Sequence, residues 1–406
     1  MTYKSTYLSK KSKVSLNLKS CIALVFAILA VSTLFDLWSV PTPFTPPFQD
    51  VTNLTSLERA KLLLKNHPLL DTHNDLPWSL RKKELFKGQV FELPSSFATD
   101  IQRMRSGGMG GQMWSAYVPC SKDLKKKSDS IRETLEQIDL IKRMVTVNND
   151  LEYAVTANDI RTSFAAGKIA SLIGIEGGHQ IDDSLDVLRI YFELGVRYMT
   201  LTHGCNTNWA DSATDTPINN GLSVFGKQIV SEMNRLGMMV DISHVTHKLM
   251  RDVIAITKAP LFASHSSAHA LCPTERNMPD DVIAAMKDLD GVIMINFWPS
   301  LITCKHTATI KDVADHIMHV IKIAGAQHVG FGGDYDGLDE YTAGMEDVTS
   351  YPYLVAELID RGVSDDDLIG IIGGNLIRVL EKTELVSKTI SDQTDVTKTN
   401  YPKYDC

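Results

Sequence analysis

From residue 69 onward, short apolar or β-rich runs recur at fairly even intervals, separated by longer polar segments with helical spacing. The runs predict strands over 69–73, 112–118, 170–175, 196–202, 238–243, 260–264, 291–297 and 329–333. Between them, 129–145 sets Ile131, Leu135, Ile138, Ile141 and Met144 on one helical face, and 226–236 reads as a second helix. Eight strands alternating with helices over about 300 residues predict an α/β fold, a (β/α)8 TIM-type barrel. A doubly wound open sheet competes, but no GxGxxG opens the first strand–helix turn.

The ends of the chain follow a different pattern. Residues 1–19 carry Lys4, Lys10, Lys11, Lys13 and Lys19 and no acid, a cationic flank for the apolar run from Cys21 to Phe35. This is a membrane-targeting pattern: 20–38 is read as a signal-anchor, or as a signal peptide cleaved near Ala30-Val31-Ser32. Residues 39–54, with Pro41, Pro43, Pro46 and Pro47, form a stalk, and Asn53-Leu54-Thr55 is a glycosylation sequon. The expectation is a body outside the cytosol, at the cell surface or, after cleavage, secreted. The body is assigned to 55–385, with a polar tail over 386–406.

Composition narrows the classes. Among 406 residues, 41 Lys+Arg face 49 Asp+Glu, a net charge of −8, with 44% hydrophobic residues. A disordered chain and a nucleic-acid partner are both disfavoured. Of six cysteines, Cys21 lies in the apolar run, and Cys120, Cys205, Cys272, Cys304 and Cys406 in the body. None forms a CxxC, which argues against a zinc knuckle or thioredoxin-type centre; four paired and one left over suits an oxidising compartment.

The strand ends carry the chemistry. His73 and Asp75 close the first strand, Glu176 the third, His203 the fourth, His244 the fifth, His265 the sixth and Asp334 the eighth. Barrel enzymes build their sites from such ends. His73 and Asp75, two apart on an extended segment, point the same way. With His244, His265 and Glu176 they make an imidazole–carboxylate set suited to zinc or a similar first-row metal. Five ligands exceed what one catalytic zinc takes, and a carboxylate such as Glu176 can bridge two ions that share a hydroxide. Taken singly, each of these residues has a plain structural reading; the ordered set is what points to a metal. His67, His247, His269, His306, His316, His319 and His328 lack strand-end placement and are read as structural.

These same segments resemble the membrane (renal) dipeptidases, a family of amidohydrolase-like metal-dependent barrels. The similarity runs from Asp71-Thr72-His73-Asn74-Asp75-Leu76-Pro77-Trp78 through Gly174-Ile175-Glu176-Gly177-Gly178-His179, Leu201-Thr202-His203, Asp241-Ile242-Ser243-His244 and Ser264-His265-Ser266 to Arg276-Asn277-Met278 and Gly332-Gly333-Asp334-Tyr335-Asp336. It implies a zinc-dependent dipeptidase with two ions, His73 and Asp75 on one, His244 and His265 on the other, and Glu176 between. It also implies substrate roles for His203, Arg276 and Asp334. Arg276 offers a planar fork to a carboxylate. Asp334 is suited to an ammonium and to proton relay, and His203 to the oxyanion. The resemblance points to Cys120–Cys205 and Cys272–Cys304 bridges, and both pairs follow strands that end on one face of the barrel. Cys406 is left for an interchain bond in a homodimer, with a free thiol as the alternative. The polar residues 397–406 are unlike a hydrophobic GPI-attachment tail. Two alternatives stay open: a related barrel hydrolase acting on cyclic amides or esters, and a non-catalytic cell-surface binding protein with a structural metal.

Overall fold

The computed structural model describes residues 53–83, 90–120 and 129–391. The cationic flank, the signal segment, the stalk up to residue 52 and Cys406 lie outside the described residues. Among the described residues no helix is long and apolar enough to cross a membrane.

Nine parallel strands make up the sheet: β1 (Leu69–Asn74), β2 (Met109–Tyr117), β3 (Leu151–Tyr153), β4 (Ile169–Glu176), β5 (Val196–Thr200), β6 (Met239–Asp241), β7 (Phe262–Ser266), β8 (Val292–Ile295) and β9 (Val329–Phe331). Their order is β2-β1-β9-β8-β7-β6-β5-β4-β3, and β2 also pairs with β4 from Gly111↔Ala170 to Tyr117↔Glu176. That pairing closes eight strands into a barrel, as the eight apolar runs predict. The ninth strand, β3, was not anticipated, because three residues are too few to show alternation. It pairs Leu151–Tyr153 with the start of β4 at Ile169–Ser171, before β5 takes over from Ile173.

Barrel strands buried on both faces must be apolar throughout. Leu70, Leu172, Tyr198, Phe262, Val292 and Met294 form one cluster, joined by Leu376, Val379 and Leu380 of the last helix. That these residues fill the interior is shown by Tyr198 of β5, whose hydroxyl reaches across to β1, 3.2 Å from the Thr72 carbonyl. The last helix, Asn375–Ser391, runs past the expected boundary at 385.

The helix read over 129–145 spans Ser130–Val147, but its buried stripe differs from the expected one. Leu135 is exposed, while Thr134 and Gln137 are buried with Ile138, Ile141 and Met144. The two polar residues win the inner face through hydrogen bonds: Thr134 donates to the Gln180 side chain at 2.6 Å and Gln137 to the Tyr117 carbonyl at 3.1 Å. Burial of a partnered polar group costs little. Cys120 is bonded to Cys205 and Cys272 to Cys304.

His316 is 1% exposed and joins the segment after β7 to a short helix after β8. Its Nδ1 accepts from the Ala268 amide at 3.0 Å, so its Nε2–H donates to the Ile302 carbonyl at 2.8 Å. Burial holds its pKa below the ordinary value, so the folded protein resists a proton that the unfolded chain accepts below about pH 6.5. Stability therefore falls as pH drops through that range. A His316→Leu variant is expected to be less stable at neutral pH yet to lose less on acidification, which denaturant midpoints at about pH 7.5 and about pH 5.5 measure.

Candidate active site

The β-strands end where the barrel opens, and their last residues converge there. Asp71 holds the first pair of ends in register. Its carboxylate accepts from the His73 amide at 2.9 Å, from the Gly333 amide at 3.1 Å, and from the Tyr351 hydroxyl. The Asp334 amide donates back to the His73 carbonyl at 3.1 Å. His244 and Asp334 both sit at positive φ, 64° and 63°, a conformation that side chains avoid unless the surroundings impose it.

All five expected metal ligands, with His203 and Asp334, meet at this mouth. Oε1 of Glu176 lies 3.1 Å from His244 Nε2, 3.3 Å from His265 Nε2, 3.5 Å from His73 Nε2 and 3.7 Å from His203 Nε2. Asp75 Oδ2 is 3.5 Å and Asp334 Oδ1 3.8 Å from His73 Nε2. Two ligand groups share Glu176: His73, Asp75 and Glu176, and Glu176, His244 and His265. Burial opposes charge on Glu176, yet His203, His73 and hydrogen bonds from His244 and His265 hold its carboxyl well below the usual carboxylate range. Burial keeps His244 and His265 neutral, so each ring has one unprotonated nitrogen. His73 Nε2 and Asp75 Oδ1 are buried with no hydrogen-bond partner. Orphaned donor atoms around a buried carboxylate fit a cation.

Supporting groups orient the imidazoles. Ser264 Oγ donates to Asp241 at 2.6 Å and stands 2.7 Å from His265 Nδ1, which turns His265 Nε2 toward Glu176. Tyr198 Oη stands 3.0 Å from His73 Nδ1. Tyr198 has room because residue 174 is glycine; a Cβ there would collide with its ring. Gly174→Ala is expected to displace Tyr198 and free His73 Nδ1. Metal affinity and turnover should then fall about 10–100-fold, with partial rescue by excess metal, as metal titration of activity measures.

A cavity of about 460 Å³ covers the cluster, lined also by Trp78, Tyr117, Thr214, Arg276 and Trp298. Arg276 is 5% exposed. Its Nη2 is 3.4 Å from the His265 carbonyl, and its Nη1 is buried without a partner. Burial lowers it to about 10, so it stays a cation, and burial raises Asp334 to about 7. Asn296 donates to Asp334 Oδ2 at 2.9 Å and was not anticipated. It directly follows β8, so the strand-end rule applied to that run would have found it. Tyr198 lies mid-strand and carried no comparable signal.

The family description "Membrane dipeptidase (Peptidase family M19)" matches residues 57–394. The chain is 43% identical over 345 residues, 81% of each chain, to Dipeptidase aclJ of Aspergillus oryzae. A metallo peptidase from Rhodobacter sphaeroides, liganded with a phosphinate mimic of the dipeptide L-Ala-D-Ala, superposes with a TM-score of 0.71 at 26% identity, covering 78% of this chain and 99% of that one. The probable dipeptidase PvdM from Pseudomonas aeruginosa shares the fold, with a TM-score of 0.73 at 22% identity over 82% of this chain and 99% of its own. A match that spans the whole barrel, together with a dipeptidase this similar over four fifths of both chains, makes this chain a member of the membrane dipeptidase family and a metallo-dipeptidase.

Proposed function

We propose that the enzyme uses two zinc ions, His73 and Asp75 holding one, His244 and His265 the other, with Glu176 shared. The observation that carries this is Glu176 Oε1, set within 3.1–3.5 Å of ring nitrogens from three strand ends. When bound, such ions acidify water and polarise a carbonyl at neutral pH. The protein's own groups do the rest. Arg276 pairs with the free carboxylate of the substrate through its unpartnered Nη1. Asp334, steadied by Asn296, receives the ammonium end and passes a proton to the departing amine. His203 donates to the carbonyl oxygen as negative charge develops on it. Trp78 and Tyr117, ring centroids 5.3 Å apart, wall the pocket, and Tyr117 packs on His203 at 4.8 Å. The tetrahedral dipeptide mimic held by the Rhodobacter relative supports this substrate class.

A buried guanidinium with a free donor suits a substrate with a free carboxylate, which favours the dipeptidase reading over a cyclic amide or ester that carries none. The test pairs metal analysis with turnover. About two zincs per chain, chelator-sensitive cleavage of dipeptides, and rejection of N-acetylated or C-amidated dipeptides are expected. A folded, metal-free and inactive protein would overturn it.

A further inference from the structure

Beside the catalytic cluster lies a second group of ligand atoms. Cys120, which follows β2, and Cys205, which follows β5, are bonded with their Cα atoms 6.1 Å apart. His179 stands against them: one ring nitrogen and the two sulfurs all lie within 4.8 Å of one another. The ring is fixed by its other nitrogen. Nε2 is 3.0 Å from the Val118 carbonyl, an acceptor only, so Nε2 carries the proton. That leaves Nδ1 as a bare lone pair, and Nδ1 is buried with no hydrogen-bond partner. An imidazole that donates one N–H to a backbone carbonyl and keeps its other nitrogen bare, with two sulfurs beside the ring, has the arrangement of a metal ligand. Burial also keeps this imidazole neutral, at about 4.

We propose that reduction of the Cys120–Cys205 bridge creates a separate metal site of two thiolates and His179 Nδ1, taking a thiophilic divalent cation of the zinc type. The chemistry balances with a phosphine as reductant. The phosphine takes the oxygen of one water and supplies two electrons, the S–S bond breaks, and the water's two protons make two thiols. The cation then displaces both thiol protons. Two thiolates and one imidazole supply three of the four positions that a tetrahedral ion fills. Cys205 follows His203 by two residues, and His179 follows Glu176 by three. The site therefore couples the redox state of the rim to the segments that frame the catalytic cluster. The Cys272–Cys304 bridge is in no group of three ligands among the described residues.

The probe is cobalt(II), which gives a sulfur-to-metal charge-transfer band that a cluster of histidines and carboxylates lacks. The full chain, loaded with its catalytic metals and reduced with a phosphine, should take up one further equivalent of cobalt and develop that band. The band should vanish in Cys205→Ser and persist in Cys272→Ser. In His179→Ala the affinity should fall by at least about 10-fold. If reduction loosens the fold, cobalt should still raise the melting temperature of the reduced chain, and not that of reduced Cys205→Ser. No band and no rise in reduced protein, or a band that survives Cys205→Ser, overturns the proposal. Dipeptide turnover by the oxidised enzyme is read separately, so either reading can fail alone.

Discussion

Glu176→Gln is expected to strip both ions and lower dipeptide turnover by well over about 100-fold while leaving the barrel folded. Loss of a group that only orients a ligand costs about 10–100-fold, and a shared ligand should exceed that. The carboxylate stands among four imidazoles, and a neutral amide offers one oxygen and no charge to draw cations there. The change is nearly isosteric, and Glu176 Oε1 contributes to no strand hydrogen bond, so the thermal midpoint of the metal-free protein should move little. Elemental analysis of purified protein and turnover at excess zinc check the result. A variant with near-normal zinc and activity would remove Glu176 from the shared position.

Arg276→Ala should fall next hardest, and chiefly in KM. A hydrogen bond to a charged group is worth about 1.5–3 kcal/mol, or about 10- to 150-fold in kcat/KM. The guanidinium is enclosed, so its contact with a carboxylate is shielded from water and salt. Discrimination supplies the sharper measurement. The wild type should prefer a free dipeptide to its C-terminal amide by about that factor, and the variant should treat the two alike. Arg276→Lys should recover only part of the preference, because a single ammonium lacks the fork.

Much of this site is legible in the chain because a barrel strand ends abruptly. A short β-rich run followed by His or Asp announces both a strand and the point where it meets solvent, as at Leu201-Thr202-His203 and Phe331-Gly332-Gly333-Asp334. What the pattern conceals is anything set by contact across the barrel. Tyr198 reads as one more apolar residue within β5, yet its hydroxyl orients His73 on the far wall. Leu135 reads as core and is exposed, because hydrophobic spacing says nothing of the partners that make Thr134 and Gln137 welcome inside. Short β3 leaves no period to detect, and its existence follows from an edge of β4 that β5 does not reach.

The pairing of β1 with β9 sets the order in which the enzyme can mature. Asp71 meets Phe331 and Gly333 only after nearly the whole barrel sequence has been made, so the first and last strands are among the last contacts to form. Pairings of such sequence separation carry a high loop-closure cost and slow folding. The proposed ligands, drawn from the ends of β1, β4, β6 and β7, cannot come together in a growing chain. Metal capture is then a late event: zinc should hardly change the refolding rate, while slowing unfolding in proportion to its affinity for the closed barrel.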